Sequence, residues 1–600
     1  MVSSLTMTNK EISTLLRHVA AVYLLTDENH FRVIAYERAA DVIDHLNREL
    51  KDMWENGALQ QVPGIGPSIL DHLAEYFEKK DRSYLISVLK KIPAPVFTLM
   101  NLGGIGPKKA FKLVKALHFS DSHTAIKQLH EACLKNKVAS IPTFGQKSQE
   151  EILRSIELHQ RSSQKKERMP LPYAYELAAE IVDYLRLNPH VQKAEVVGSL
   201  RRMTATVGDI DIAVICSLLH AKDVIDYFVS GPFVSSVEEK GEKKAAILTS
   251  SGKRIDIRTV EKERYGAMLQ YFTGSKEHNI KLREYAIKKG YSLSEYGIKK
   301  IKNKYKNTRE HIFKNEKDFY EFLGLQYIPP EIREGTDEIE RARKGKIPQL
   351  VTRADIRGDF HIHSSYNLEV SHDLGENSYE EIFNKAQELG YEYVGFADHN
   401  PSITNHSDAE IINLMKKRKE YIVQKSLFKK SKRLHFFISL EVDILPTGKI
   451  ALPEETMSYI DFLIVSVHSS FRMSKADMTK RILTALQQPK VKILAHPTGR
   501  LLHKREEIEA DWVRIFTECK RKHIAVEINS WPGRLDLPDE LVRQAVNQGL
   551  TMVINTDAHA VSQMEGILYG VAVARRGWAK KSDILNTMGY NEIKHWLNPD

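Results

Sequence analysis

Residues 198–212 read GSLRRMTATVGDIDI, and the alternation that closes the stretch, Asp209-Ile210-Asp211-Ile212, decides how the first half of this chain is built. Side chains two apart along a strand share a face, so Asp209 and Asp211 present two carboxylates together. Two such acids repel each other unless a cation neutralises them. Oxygen ligands at this spacing suit Mg²⁺, which keeps its other positions for water and a substrate phosphate. Just upstream, Gly198 and Ser199 form a small turn whose amides and hydroxyl can approach a phosphate, with Arg201 and Arg202 placed to pair with the anion. A solvated acidic strand end accounts equally well for a bare Asp-x-Asp. The complete string favours phosphoryl chemistry.

Outward from this stretch a third carboxylate appears. Residues 253–258, KRIDIR, alternate strictly and put Asp256 on the polar face of a second strand. Three carboxylates suffice to hold two ions about 3.5–4 Å apart, aligning an attacking hydroxyl with a leaving pyrophosphate. Asp256 then stands beside the hydroxyl and can accept its proton. Farther on, Tyr271-Phe272-Thr273-Gly274-Ser275 reads as a small glycine-containing turn whose aromatics can sit against a sugar. Asn279 and Arg283, four apart on one helix face, can reach a base edge and the opposite strand.

Six hundred residues exceed what one core holds, so several domains are expected. The net charge of +10, spread along the chain, favours an anionic partner. Cys133, Cys216 and Cys519 form no CxxC pair, which argues against a disulfide framework or zinc ribbon and for a reducing cytosol. No apolar run reaches membrane-spanning length, and the N-terminus lacks a signal-peptide pattern.

Residues 9–57 carry helical spacing. Val62-Pro63-Gly64-Ile65-Gly66-Pro67-Ser68 then leads into an amphipathic helix, and the design returns at Leu102-Gly103-Gly104-Ile105-Gly106-Pro107-Lys108. Such hairpins let amides at a helix N-terminus meet a duplex phosphate without reading sequence, which assigns Gly64, Gly66, Gly104, Gly106 and Lys108 to DNA binding. A degraded third copy at residues 141–147 reads as structural. Residues 160–170 are a polar linker, followed by a helix over 173–187; strands dominate from about 191 to 328, broken by helices near 219–229 and 276–289.

Taken together, the two hairpins, GSLRR, GDID, RIDIR and YFTGS-x3-N-x3-R resemble the family X DNA polymerases, the polymerase beta-like group, over residues 1–328. The resemblance implies a lyase-like helical domain at 1–90, fingers at 91–168, a nucleotidyltransferase palm at 169–262 and a thumb at 263–328. It implies that Asp209, Asp211 and Asp256 bind catalytic Mg²⁺, that Ser199, Arg202 and Gly208 hold the triphosphate, and that Tyr271, Phe272 and Gly274 pack on the sugar. It further implies that Asn279 and Arg283 contact the nascent pair. One departure stands out. The family's Schiff-base lysine is replaced by His72, a poor imine former, so binding of a 5′-phosphate near Arg32, Tyr36 and Arg38 without lyase chemistry is expected.

A charged linker, 329–357, precedes the second half. There, short apolar runs repeatedly end in ligand-type residues: GDFHIH, VGFADH, FFISLEVD, DFLIVSVHSS, VKILAHP and MVINTDAH. The segments between them look helical, so a parallel strand-helix alternation with functional residues at strand C-termini is expected. One histidine on an apolar face is usually a packed core residue; six at strand ends with two acids are hard to bury without metal. Mixed imidazole and carboxylate donors suit Mn²⁺, Zn²⁺ or Fe²⁺. These motifs resemble the polymerase-and-histidinol-phosphatase (PHP) phosphoesterase domain, over residues 358–600. The resemblance implies a distorted β/α barrel with a metal cluster held by His361, His363, His399, Glu441, His468, His496, Asp557 and His559, and a Mn²⁺-dependent 3′–5′ exonuclease. The family's aspartate after the opening HxH is Leu368 here; its role falls to no residue, to Glu369, or to His372 or Asp373.

The fold class expected is therefore multidomain, with all-α helix-hairpin-helix domains, an α+β palm and thumb, and a C-terminal β/α barrel. The expected protein is a monomeric, cytoplasmic, nucleoid-associated repair polymerase acting on gapped or nicked duplex DNA with dNTPs. A template-independent or RNA-directed nucleotidyltransferase, and a DNA-binding protein with vestigial sites, are the rival readings.

Overall fold

The computed structural model describes residues 9–26, 30–44, 50–55, 59–61, 65–79, 83–102, 104–163, 168–301, 310–424 and 433–598. The chain forms two compact units, one of residues 1–169 with 231–238 and 246–255, the other of 170–230, 239–245 and 256–600.

The described residues of the first unit up to residue 163 are helical. Asn9–Leu25 buries Ile12, Leu16, Val19 and Tyr23, the stripe that a 3.6-residue repeat sets on one face. One continuous apolar core runs from Ile12 to Ile156, so no break in packing falls near residue 90, where the sequence suggests a domain border. Helix Pro67–Lys79 follows Gly66 and helix Pro107–Leu117 follows Gly106, each with proline at its first position, where no backbone N–H is needed. The third candidate behaves alike, Gly145 preceding helix Gln146–Ser163. That helix runs into the stretch expected as a linker. Gly64, Gly103 and residues 164–167 lie outside the described residues.

In the second unit, strand β1 (Lys193–Val197) pairs antiparallel with β2 (Ile210–Ile215), Val197 lying opposite Asp211, and β3 (Arg254–Val260) is the next strand on that side. Tyr271 and Phe272, expected on a turn, instead finish a helix, Tyr265–Thr273; only Gly274, with φ +69°, leaves it. Residues 329–357, expected as a linker, are packed rather than loose. Ile332, Ala342, Ile347 and Leu350 join Phe319, Tyr320 and Trp578 in one core, and a Cβ at Gly335 would press to 2.6 Å from Glu277. Charge masked this. The segment's acids and bases are paired, Arg341 with Asp337 and Arg343 with Glu340, leaving its aliphatic residues free to pack.

The last 240 residues hold seven parallel strands in sequence order. They are β4 (Gly358–Ile362), β5 (Tyr393–Phe396), β6 (His435–Asp443), β7 (Phe462–Ser466), β8 (Val491–Leu494), β9 (Ala525–Asn529) and β10 (Met552–Asn555). Helices Tyr379–Glu388, Asp408–Gln424, Lys475–Ala485, Trp512–Arg521 and Asp539–Gln548 connect them, except between β6 and β7, where a 3-10 stretch, Glu454–Tyr459, replaces the expected helix. The sheet nearly closes on itself. Ile362 bridges to Ala558 in parallel, and the His363 amide donates to the Ala558 carbonyl at 2.9 Å. Phe360, Tyr393, Phe437 and Phe462 fill the interior, so this barrel is a packed core with chemistry confined to one rim.

Candidate functional site

Two sites emerge in the second unit. The first rests on the β1–β2–β3 sheet. Gly198 ends β1 with φ +65°, and a Cβ there would fall 2.5 Å from Asp211 Oδ2, so only glycine leaves room for the carboxylate. Asp211 on β2 and Asp256 on β3 line one pocket with Val197, Ala213, Arg258 and Phe272. Asp209 is exposed in the bend just before β2 begins, and it does not line that pocket. The Arg258 guanidinium covers the Phe272 ring at 4.5 Å, and Tyr271 meets Phe272 edge-on at 5.1 Å.

The flanking residues are already engaged. Asn279 is buried. It donates to the Tyr271 carbonyl at 2.7 Å and accepts from Gln270 at 2.8 Å, so it pins the aromatic pair. Arg283 is exposed, 5.7 Å from the Tyr271 ring. Ser199 is half-buried, and Gly208 is exposed beside Asp209. Arg202 donates to the Thr273 carbonyl at 2.6 Å and to Glu334 at 3.2 Å, and Glu334 also takes Arg576 at 2.7 Å. Arg201, expected to face an anion, instead binds Glu316 at 2.6 Å and the Thr273 hydroxyl at 2.7 Å. Glu316 also receives Arg333 at 2.5 Å. Burial opposes ionisation of Glu316, but the charges of Arg333 and Arg201 prevail and hold its pKa down at about 2. The sequence could not show this, because Glu316 and Arg333 lie far along the chain.

In the helical unit, a Cβ at Gly66 or Gly106 would meet nothing within 4 Å, so these glycines leave open space beside their helix N-termini. Gly104 has φ +81°, and Lys108 is exposed in the first turn after it. His72 accepts or donates a 2.8 Å bond with the Tyr36 hydroxyl and stacks on Tyr84 at 4.3 Å. Burial lowers its pKa. Arg32 and Arg38 are exposed on the preceding helix.

The second site lies at the barrel's C-terminal rim, where His361, His363, His399, Glu441, His468, His496, Asp557 and His559 converge. Glu441, on β6, is the hub. Its oxygens lie 3.1 Å from His361 Nε2, 3.1 Å from His399 Nδ1, 3.3 Å from His468 Nε2 and 2.8 Å from His496 Nε2. Asp557 meets His363 Nε2 at 3.2 Å. Ligand atoms of His361, His363, Glu441 and Asp557 lie within 4.8 Å of one another, as do those of His399, Glu441 and His468, and of His363, His399 and His559. The donor set fits cations. Buried Nε2 of His361, Nδ1 of His363, Nδ1 of His399, Oε2 of Glu441 and Nε2 of His559 have no hydrogen-bond partner, a cost that metal ligation removes.

Of the residues at and after Leu368, one comes near the rim. Leu368 is fully buried, Glu369 pairs with His406 at 2.8 Å and His372 with Asp443 at 2.8 Å. Asp373 instead reaches the rim, one oxygen 3.5 Å from His399 Nε2 and the other 3.5 Å from His559 Nε2. Its side chain is exposed, and the neighbouring His559 and His399 hold its carboxyl well below the usual range.

Sequence reasoning missed the layer behind these ligands. Glu527 on β9 accepts from His361 Nδ1 at 2.7 Å and from the His496 amide at 2.8 Å, which fixes which ring nitrogen of His361 faces the rim. Its signal was visible: AVEINS is an apolar run carrying an acid, like SLEVD. Although burial opposes it, the Glu527, Glu441 and Asp557 carboxylates push His361 well above the ordinary imidazole pKa. His363, buried and facing His559 and His399, is pulled down to about 3. Asp398, beside His399, turns away from the rim to Arg418 at 2.8 Å.

Family models match three stretches: one described as a helix-hairpin-helix domain over residues 7–82, one as the DNA polymerase beta thumb over 268–334, and one as the PHP domain over 359–531. The chain is 33% identical over 593 residues to the DNA polymerase/3′-5′ exonuclease PolX of Bacillus subtilis (strain 168), a match spanning 98% of this chain and 99% of that protein. It is 24% identical over 353 residues to DNA polymerase lambda of Rattus norvegicus, covering 54% of this chain and 56% of that one. It is also 24% identical over 190 residues to a probable phosphatase of Caldicellulosiruptor bescii, covering 30% and 73%.

Proposed function

This chain belongs to the PolX family, the family X DNA polymerases that carry a PHP domain, and from that premise we propose two phosphodiester reactions at two sites, paired for gap-filling repair. The first joins a dNTP to a primer end: O3′ bonds to the α-phosphorus, and pyrophosphate leaves. Asp209, Asp211 and Asp256 hold two divalent ions, Mg²⁺ by choice of ligand, and Asp256 receives the O3′ proton. Ser199, Gly208 and Arg202 bind the triphosphate, for which Arg202 exchanges Glu334. Tyr271, Phe272 and Gly274 take the sugar, while Asn279 and Arg283 attend the new pair. Gly64, Gly66, Gly104, Gly106 and Lys108 hold the duplex backbone, and the His72 pocket binds a 5′-phosphate without forming an imine. The domains follow this division: lyase-like 1–90, fingers 91–168, palm 169–262, thumb 263–328, a packed connector 329–357 and the barrel from 358.

The second reaction hydrolyses the last phosphodiester of a 3′ end. The eight rim residues and Asp373 hold a Mn²⁺, Zn²⁺ or Fe²⁺ cluster, which supplies a deprotonated water and neutralises phosphate charge. Glu527 keeps His361 aimed. The substrates are gapped or nicked duplex DNA and dNTPs, and the protein acts as a monomer beside the nucleoid.

The observation that carries this reading is that one chain, alike end to end to a polymerase/exonuclease, has Asp211 and Asp256 lining one pocket and a separate group of histidines with Glu441 and Asp557 at the barrel rim. The test is nucleotide incorporation on a gapped duplex and on unpaired primer, with Mg²⁺ and with Mn²⁺. Templated extension at the gap supports the reading. Equal extension without a template strand turns it to a template-independent transferase, and no extension with either ion ends it.

A further inference from the structure

None of the roles above uses the turn after β9. That turn is fixed on several sides. The Trp531 amide donates to the Asn529 side chain at 3.0 Å, the Arg534 amide to the Trp531 carbonyl at 2.9 Å, and the Leu502 amide to the Gly533 carbonyl at 2.8 Å. The Arg500 guanidinium grips the Arg534 carbonyl at 2.9 Å. A Cβ at Gly533 would come within 2.8 Å of the Trp531 indole, so only glycine lets the turn close over that ring.

With its main chain held, Arg534 is aimed. Its guanidinium lies over Trp531, 5.4 Å from the ring centre, and its Nε is 3.8 Å from Oδ2 of the rim ligand Asp557. That is an ion-pair distance and too long for a hydrogen bond. Asp557 Oδ2 already accepts from Asn529 at 3.0 Å. The Nε and Nη1 of Arg534 are buried and have no hydrogen-bond partner. A guanidinium cannot shed its charge to escape this, and its flat fork of donors matches two oxygens of one phosphorus. A second cation, Arg505, sits close by, 3.6 Å over the Phe471 ring, with its Nε on the Gly499 carbonyl at 2.7 Å. Burial and the neighbouring charge of Arg534 push its pKa down to about 10. The nearby acid, Asp536, is buried with Oδ1 on the Thr498 amide at 3.2 Å and does not reach these donors. A buried guanidinium with two open donors, with a second cation close by and a candidate metal rim beside it, calls for an anion.

We infer that Arg534 is a phosphate clamp: its Nε and Nη1 bind the non-bridging oxygens of the phosphodiester cut at the barrel rim, with Arg505 behind it. This rests on the nuclease reading above. In that reaction water adds to phosphorus and the P–O3′ bond breaks. The proton lost by the water ends on the departing O3′, releasing a nucleoside 5′-monophosphate from a strand shortened by one. Charge gathers on the non-bridging oxygens as the new bond forms, so donors fixed there bind the transition state more tightly than the substrate.

The test uses the full chain carrying Arg534→Gln, with Arg534→Lys beside it. The binding probe is dTMP, a product, measured by calorimetry with and without Mn²⁺ in a chain that also carries Asp211→Ala, so that the polymerase site adds nothing. We expect dTMP binding to weaken about tenfold or more with Gln, and kcat/KM for 3′-end degradation to fall about 10²–10³-fold, with bound Mn²⁺ per chain and gap filling by the single variant unchanged. Lys should recover part of the binding and little of the rate, having charge without a fork. Wild-type dTMP affinity in Arg534→Gln overturns the inference. So does a loss of bound Mn²⁺ that matches the loss of rate, since Arg534 would then serve Asp557 alone. A wild-type chain that degrades no DNA defeats the nuclease reading instead, and the dTMP comparison still decides the phosphate site.

Discussion

Asp211 and Asp256 are half-buried on a sheet face, and the arginine expected at the triphosphate, Arg202, is bound to Glu334; at the barrel rim His361, His363, Glu441 and His496 are each at most 1% exposed and touch one another. On the function proposed above, the contrast gives two ways to hold a metal. The sheet site would offer few protein ligands and leave the rest of the shell to DNA and nucleotide. The rim site brings nearly all its ligands from protein, with Glu527, Asn529 and Asn555 bonded behind them. An open site tolerates change in its surroundings and fails when a carboxylate goes. A closed one is sensitive to every residue that aims a ligand.

The largest effects should separate the two sites outright. Asp209→Ala with Asp211→Ala is expected to reduce incorporation on a gapped duplex to background while Mn²⁺-dependent 3′-end degradation persists. His361→Ala with His363→Ala should do the reverse. Parallel loss of both activities in either variant would break the comparison, because the sites would then act as one. Next in size, Asp373→Ala removes the acid held between His399 and His559. It should lower metal content and cut degradation about 10–100-fold, with incorporation intact. Leu368→Asp added to that variant should restore nothing, since the side chain at 368 is fully buried.

That second prediction marks where sequence reading stops. Most candidate residues of both sites were legible because they lie in or at the end of short apolar runs, and strand geometry brings the rim candidates to one end of the barrel. Asp373 was legible only as one of several candidates, because residues 364–378 form a loop whose path no periodicity fixes. Glu527 had the same apolar setting as Glu441 but is distinguished from a ligand only by what stands in front of it. The packing of 329–357 was hidden for a different reason. Its charges are spent partly on near neighbours, as in Arg341–Asp337, and partly on distant residues, as in Glu331–Arg575, so composition suggested a solvated tether where Ile332, Ala342 and Leu350 are buried. Likewise Arg201 and Arg202 are adjacent in sequence, yet only contacts more than a hundred residues away show that Arg201 is held by Glu316.

Glu527→Gln sharpens the comparison at a smaller scale. It keeps the shape of a buried side chain but removes the charge that holds His361 Nδ1–H and raises that ring's pKa. Degradation should fall about tenfold or more, with metal affinity reduced alongside, and incorporation should not change. A conservative substitution behind the open site that keeps its hydroxyl, Thr273→Ser beside Arg201, should alter incorporation far less. Kinetics of both reactions in both variants decide the point.

The smallest effect concerns what holds the open site in place. Glu316 sits between Arg333 and Arg201, and its folded pKa of about 2 lies below the 4.5 of a free glutamate. A depressed carboxyl pKa stabilises the folded state fully above the unfolded value, and the contribution is lost as pH falls through the folded one. Protonating Glu316 should therefore remove about 3 kcal/mol between pH 4.5 and 2, an upper bound for one group. Glu316→Gln leaves Arg333 buried and uncompensated, so that variant should be less stable at neutral pH, and the difference from wild type should shrink as pH drops through this window. Urea unfolding at a series of pH values measures it. A constant difference from pH 6 to pH 2 would mean that the pair Arg201–Arg333 needs the shape of Glu316 and not its charge. The sheet site would then be positioned by packing, as the barrel rim is, and the distinction between the two would narrow to their ligands.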